Sequence, residues 1–120
     1  MLDDKSLLVY GLTKEELNLL TKANLKTITI TKDMANMKLK EIIDATGTLV
    51  EDNSIPDEKV ILFNGYSSME LKQVINFIRI FIKGGLLAAV TPVSIDWTFK
   101  YLISHLMQER YWIEQNQKGR

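Results

Sequence analysis

Residues 60–67, Val60-Ile-Leu-Phe-Asn-Gly-Tyr-Ser67, decide how this chain is read, because an echo of them opens it at Leu7-Leu-Val-Tyr-Gly-Leu-Thr13. Each is an apolar run of strand length ended by a glycine, and an unbroken apolar run of this kind suits a strand covered on both faces. Two residues after each glycine comes a Ser/Thr-x-x-Glu quartet, Thr13-Lys-Glu-Glu16 in one case and Ser67-Ser-Met-Glu70 in the other. In that spacing the hydroxyl and the carboxylate each accept an N–H that the first helical turn leaves without a partner. Both stretches therefore predict a strand, a glycine turn and the start of a helix.

The flanking sequence continues the pattern. Leu17, Leu19, Leu20 and Leu25 give the first helix an apolar side, with Asn24 as its stop, and Thr27–Thr31 is β-branched throughout, as a strand prefers. Helical spacing returns from Asp33 to Ala45, with Met34, Met37, Leu39 and Ile42 inward and Gly47 as C-terminal punctuation. Residues 48–59 read as an acidic connector holding Asp52, Pro56, Asp57 and Glu58, with a short extended piece at Leu49 and Val50. After it come a strand at Val60–Phe63, a helix from Ser67 to about Lys83, a Gly84-Gly85 turn, a strand at Leu86–Val90, then Thr91-Pro92 and a long final helix. Ile75–Ile82 has strand propensity, but the preceding cap and the stripe Leu71, Val74, Ile75, Ile78 and Ile82 favour a helix there.

The halves match by number. Gly11, Thr13, Glu16 and Leu17 fall on Gly65, Ser67, Glu70 and Leu71 at a shift of 54; Ile30, Thr31, Ile42 and Ile43 fall on Val90, Thr91, Leu102 and Ile103 at a shift of 60. The expectation is a duplicated βαβα chain with repeats at about 6–47 and 60–113, forming a single α/β domain over 1–120. Right-handed crossovers make the sheet mostly parallel, and a pseudo-twofold between repeats sets strands one and three side by side. The expected strand order is 2-1-3-4, with helices on both faces. Open α/β sheets bind ligands at the carboxyl ends of their strands.

Composition excludes more than it selects. The chain has 120 residues, 46% hydrophobic and 25% charged, enough for one ordinary core. Its 15 basic and 15 acidic side chains leave no net field to recruit nucleic acid or an anionic membrane surface. With no cysteine there is no disulfide framework, thiol catalysis or cysteine metal site, and the single histidine, His105, has no partner with which to share a metal. The opening Met-Leu-Asp-Asp-Lys lacks the layout of a signal peptide, and Glu70–Lys83 is too short and too charged to span a bilayer. A cytoplasmic protein with no membrane or nucleic-acid partner and no cofactor is expected.

The candidate ligand residues are Gly11, Asn64, Gly65, Tyr66, Thr91, Pro92 and Trp97. The glycine turns read in two ways: as seats for an anion at helix N-termini, or as relief of tight turns whose hydroxyls merely cap helices. Neither is a nucleotide-binding glycine motif. Thr91-Pro92 reads as a cap followed by the first helical position. Trp97, one turn into the final helix, either roofs a ligand or fills the core. Phe77, Ile80 and Phe81 on the third helix and Tyr101 on the fourth form an apolar excess that suits an interface. The carboxylates include no paired acid and base, so no enzyme is expected.

Phe63-Asn64-Gly65-Tyr66-Ser67, followed by an amphipathic helix, Thr91-Pro92 and then Trp97, resembles an uncharacterised bacterial and archaeal family known as a domain of unknown function. The resemblance covers about Val60–Gln108. It implies a prokaryotic source and points to Pro92 and Trp97, while supplying no activity, substrate or partner. The resulting expectation is a non-catalytic binding module with a small-molecule or anion site at the strand ends. The alternative is a protein-interaction or homodimerisation module built on the third and fourth helices.

Overall fold

The computed structural model describes residues 5–118, with side chains to 111, so Met1–Asp4, which entered the signal-peptide reading, lie outside the described residues. The elements run β1 (Ser6–Tyr10), α1 (Lys14–Lys22), β2 (Thr27–Thr29), α2 (Leu39–Asp44), β3 (Val60–Asn64), α3 (Ser68–Phe81), β4 (Leu86–Ala89) and α4 (Phe99–Lys118). Short 3-10 turns at Lys32–Met34 and Ser94–Asp96 precede α2 and α4. The chain forms two compact units, one of Met1–Thr31 with Pro56–Pro92 and one of Lys32–Ile55 with Val93–Arg120.

The first unit holds the whole sheet, in the order β2-β1-β3-β4. β1 runs parallel to β2 and β3 parallel to β4, as right-handed crossovers through α1 and α3 require. The central pair, β1 with β3, is antiparallel, in a register that joins Ser6 to Asn64, Leu8 to Leu62 and Tyr10 to Val60. Replacing each residue of this pair by its counterpart 54 positions away returns the same pairing, since Ser6 with Asn64 becomes Val60 with Tyr10. The flanking ladders correspond as well: Ile30 N–H donates to Val9 C=O at 2.7 Å, and Val90 N–H donates to Phe63 C=O at 2.9 Å.

One row of the central strands, Leu7 and Val9 with Ile61 and Phe63, packs against Leu20 of α1 and against Val74, Ile78 and Ile82 from α3 and its end. Both helices of this unit therefore cover the same face. The reverse row, Leu8, Tyr10, Val60 and Leu62, is buried as deeply. Burial of both rows accounts for the unbroken apolar runs from which the strands were read.

The second unit carries α2 and α4, which an exchange of backbone bonds ties together. Leu39 N–H donates to Trp97 C=O at 2.9 Å, and Phe99 N–H donates to Met37 C=O at 3.0 Å. These four residues correspond at a shift of 60. Among the described residues, Leu39, Ile42, Phe99, Leu102 and Ile103 are its buried side chains from α2 and α4. Lys40 pairs with Asp96 at 2.8 Å, whereas Lys100 finds Asn36 where that pattern would offer an acid. Asp52 of the connector supplies the carboxylate instead, accepting from Lys100 and from Asn36 at 3.2 Å each.

Several boundaries differ from expectation. The segment 33–45 is not one helix; it splits into a 3-10 turn and the six-residue α2, because residues 35–38 are committed to the backbone exchange with 97–100. The left-handed residue that ends α2 is Ala45, at φ 58°, rather than Gly47. α4 does not begin at Thr91-Pro92. It starts at Phe99, with Tyr101 N–H donating to the Thr98 hydroxyl at 3.1 Å, so Trp97 precedes the helix.

Candidate functional site

The central strand pair places one capping box at each end. At the Tyr10 end, Thr13 N–H donates to Glu16 Oε1 at 2.8 Å, and the other oxygen, Oε2, accepts from Lys59 Nζ at 2.6 Å. At the Ser6 end, Ser67 N–H donates to Glu70 Oε1 at 2.9 Å, and Glu70 Oε2 accepts from Lys5 Nζ at 2.6 Å. Lys5 and Lys59, like Glu16 and Glu70, are 54 positions apart, so each lysine pairs with the helix of the other half. A lysine just before each strand meets the opposite carboxylate because β1 and β3 are antiparallel. Each helix N-terminus, where an external anion would sit, is already occupied by the chain's own carboxylate.

The two ends differ in what surrounds the pair. Glu16 is nearly enclosed, its side chain 11% exposed, while Glu70 is 41% exposed. Beside Glu70 lies a cavity of about 380 Å³ whose wall includes Lys5, Leu25, Tyr66, Gln73, Val74 and Phe77. The Lys5 ammonium stands 5.7 Å from the centre of the Tyr66 ring, close enough for cation–π attraction. Tyr66 in turn meets Phe63 edge-on, with ring centres 6.0 Å apart, so the hydrophobic core fixes its orientation. Positions 12, 19 and 23, which correspond to Tyr66, Gln73 and Phe77, hold Leu, Leu and Ala. The aromatic and amide groups at the cavity have no like counterpart in the first half.

Charge placement follows this geometry. The Lys5 ammonium, with the backbone N–H and hydroxyl of Ser67, holds the Glu70 carboxyl at about 2. Burial pushes Glu16 upward, but hydrogen bonds from Lys59 and Thr13 together with the Lys59 charge outweigh it and leave the carboxyl below its ordinary value. Burial also raises the Tyr66 phenol, against the pull of Lys5, so it stays protonated at neutral pH. Both acids are held as carboxylates, which suits ion pairing and not proton donation.

The ligand residues anticipated from the sequence do not form one group. Asn64, Gly65 and Tyr66 leave β3 at the Ser6 end, and Thr91 and Pro92 leave the parallel β4 at the same end. Gly11 leaves β1 at the opposite end, because antiparallel neighbours finish on opposite sides, so the two glycine turns do not share one end of the sheet. Gly11 has φ +78°, and a Cβ there would lie 2.6 Å from the Glu58 carbonyl oxygen. The close approach of that backbone is what requires glycine. The Thr91–Pro92 bond is trans. Asn64 donates to the Ser6 hydroxyl at 3.4 Å, bridging the central strands.

Trp97 and Tyr101 belong to the second unit, where their rings meet edge-on at 4.8 Å and His105 completes an aromatic row. Of the residues expected at an interface, Ile80 is 73% and Tyr101 55% exposed. Phe77 forms a cavity wall, and Phe81 packs edge-on against Phe77 and onto the core. Sequence reasoning missed Lys5 and Gln73 and took Glu70 only as a cap. The available signal was the 54-residue shift that carries Lys59 onto Lys5 beside the matched glutamates.

Among the described residues, no three or more His, Asp or Glu side chains gather as a metal site, and no helix is long and apolar enough to cross a membrane. Fold and site together define a mixed α/β protein with a mostly parallel four-stranded sheet and an open cavity of about 380 Å³ at one end of its central strands. Residues 59–113 match the family model of a domain of unknown function, DUF3783, from Lys59 through the Gly65 turn, α3 and β4 into α4. No curated protein and no solved structure is significantly similar to the chain.

Proposed function

We propose that the protein is a non-catalytic binding module that takes a small molecule in the cavity beside Tyr66. The carrying observation is the cavity itself, open to solvent and about 380 Å³, lined by Lys5, Glu70 and Gln73 together with aromatic and aliphatic side chains. Small-ligand sites usually run from about 300 to 1,000 Å³ and combine an apolar lining with a few placed polar groups. The seat comprises Tyr66 with the neighbouring Asn64–Gly65 turn, and leaves out Gly11 and Trp97. Neither ionised carboxylate is suited to serve as a general acid at neutral pH, which supports a binding role over a catalytic one. We read the chain as an internal duplication in which one end of the strand pair kept a structural ion pair and the other acquired a ligand seat. The matched lysines, glutamates and capping boxes support that reading.

The test is an amide NMR titration of the full chain with pools of amino acids, carboxylic acids, phosphorylated metabolites and nucleotides. Saturable shifts at Gly65, Tyr66 and Gln73, with Gly11 unmoved, are expected. Shifts centred on Gly11, or none from any pool, would remove the proposal.

A second reading, a protein-interaction surface on α3, is favoured by the 72% exposure of Met69 and 73% exposure of Ile80. Sedimentation of the double variant Met69→Lys and Ile80→Lys tests it for self-association. A mass equal to that of the parent would rule out a homodimer through this face.

A further inference from the structure

Among the described residues the sheet ends at β4, whose outer side has no strand to bond. Leu86 N–H donates to Lys59 C=O at 2.7 Å, and Val90 N–H donates to Phe63 C=O at 2.9 Å. In a parallel ladder the residues that bond to one neighbour alternate with residues that face away from it. Leu87 and Ala89 therefore direct their N–H and C=O groups outward. Ala89 is exposed and Leu87 half-buried. We infer that β4 is the surface through which the protein pairs with a second copy of itself, joining two sheets edge to edge.

The strand fits its own copy in register, charge and rigidity. An antiparallel arrangement about a twofold axis at Ala88 sets Leu87 opposite Ala89 of the second copy, and each such pair exchanges two bonds through the outward groups. Ala88 then faces Ala88 of the second copy as a non-bonded pair, where Cα atoms approach to about 4.5 Å and a methyl group is easily housed. Leu87, at the margin of the α3-facing core cluster, is closed over from outside. A twofold axis also brings like residues together, so a charge on the strand would be repelled by its copy. From Gly84 to Pro92 there is none. Finally, β3 already holds β4 extended, whereas a free peptide would give up backbone freedom to make the same bonds.

The other edge lacks this fit. β2 directs Thr27 and Thr29 outward, at the positions that a shift of 60 carries onto Leu87 and Ala89. Lys26 and Lys32 flank that strand, and pairing β2 with its own copy would crowd these lysines together. Lysine beside an edge strand guards against such pairing. The corresponding positions beside β4 hold Leu86 and Pro92, neither of them charged.

The test is sedimentation of the full chain from about 10 µM to 1 mM, the range in which a small interface dissociates, with amide hydrogen exchange on the same samples. The expected result is a concentration-dependent dimer in which exchange at Leu87 and Ala89 slows as the dimer forms. Ala89→Pro removes an outward N–H and keeps the bonds that Leu86 and Val90 make to β3. It should weaken the dimer by about tenfold or more, the size of one or two lost hydrogen bonds, with an unchanged circular dichroism spectrum. Ala89→Lys, which puts a charge on the edge without altering the backbone, should do the same and decides the matter if the proline disturbs the strand. Met69→Lys with Ile80→Lys on α3 should leave the dimer intact. A chain that stays monomeric to the top of the concentration range, or a dimer that persists in both Ala89 variants, would overturn the inference. A dimer lost only in the α3 variant would also overturn it and move the interface to that helix.

Discussion

The two ends of the central strand pair use the same parts to different effect. At the Tyr10 end, Lys59 and Glu16 close over a turn in which the Glu58 carbonyl presses on Gly11, and the glutamate is almost enclosed. At the Ser6 end, Lys5 and Glu70 form the same pair in a more open setting, beside a cavity walled by Tyr66, Gln73 and Phe77. A repeated ion pair thus serves as a cross-brace between halves, and its surroundings decide whether it has any surface to offer. Function is better sought where the pair is open.

Four perturbations test this contrast, beginning with the largest expected effect. Gly11→Ala combines an unfavourable positive φ with overlap against the Glu58 carbonyl, and should cost about 3 kcal/mol in urea denaturation. Gly84→Ala is the control for conformation alone: at φ +70°, with no atom within 4 Å of its added Cβ, it should cost only about 1 kcal/mol. Equal losses would mean that the Gly11 turn is not clamped.

Next, Glu16→Ala strips both the Lys59 ammonium and the Thr13 N–H of an acceptor in a nearly enclosed setting, and should cost about 1–2 kcal/mol. Glu70→Ala removes the corresponding bonds where water can replace them, so its loss should be smaller. The reverse ranking would contradict the assignment of Glu16 as the structural member.

The third test uses acid. Glu70 is held at about 2 in the folded chain against an ordinary 4.5, so its carboxylate contributes stability fully above about pH 4.5. That contribution fades as pH falls from there toward about 2, because folding then opposes protonation. Glu70→Gln should flatten denaturation midpoints across this window, leaving a residual slope from Glu16, Asp52 and Asp96, whose carboxyls are depressed in the same sense. A variant with the unaltered acid slope would place the pH dependence elsewhere.

The smallest stability changes belong to the cavity wall. Tyr66→Leu and Phe77→Ala, which install the residue types of positions 12 and 23, should each cost about 1 kcal/mol or less, since neither side chain is fully buried. Both should nevertheless weaken any ligand response. Large destabilisation would instead make these aromatics structural.

Much of the local structure was legible from residue pattern. Thr13-x-x-Glu16 and Ser67-x-x-Glu70 start helices through bonds confined to four residues, so their meaning is independent of the remaining fold. Asn24 ends α1 at φ +61° for a similarly local reason. α2 was harder to read, because residues 35–38 surrender helical bonding to partners at 97–100, far away in sequence. The strand order followed from matching the halves. The separation of Gly11 from Gly65 depended on strand direction, which side-chain alternation does not encode.

The sequence by itself determined where strands, caps and glycine turns fall, since these depend on hydrophobic runs, hydroxyl-to-carboxylate spacing and backbone freedom within a few residues. Only the tertiary structure decided that β1 and β3 run antiparallel, that Lys5 reaches Glu70 and Lys59 reaches Glu16, and that the two compact units each draw on both halves. Those outcomes depend on long-range backbone pairing, in which a residue's partner is selected by the register of a distant strand and not by its own neighbours.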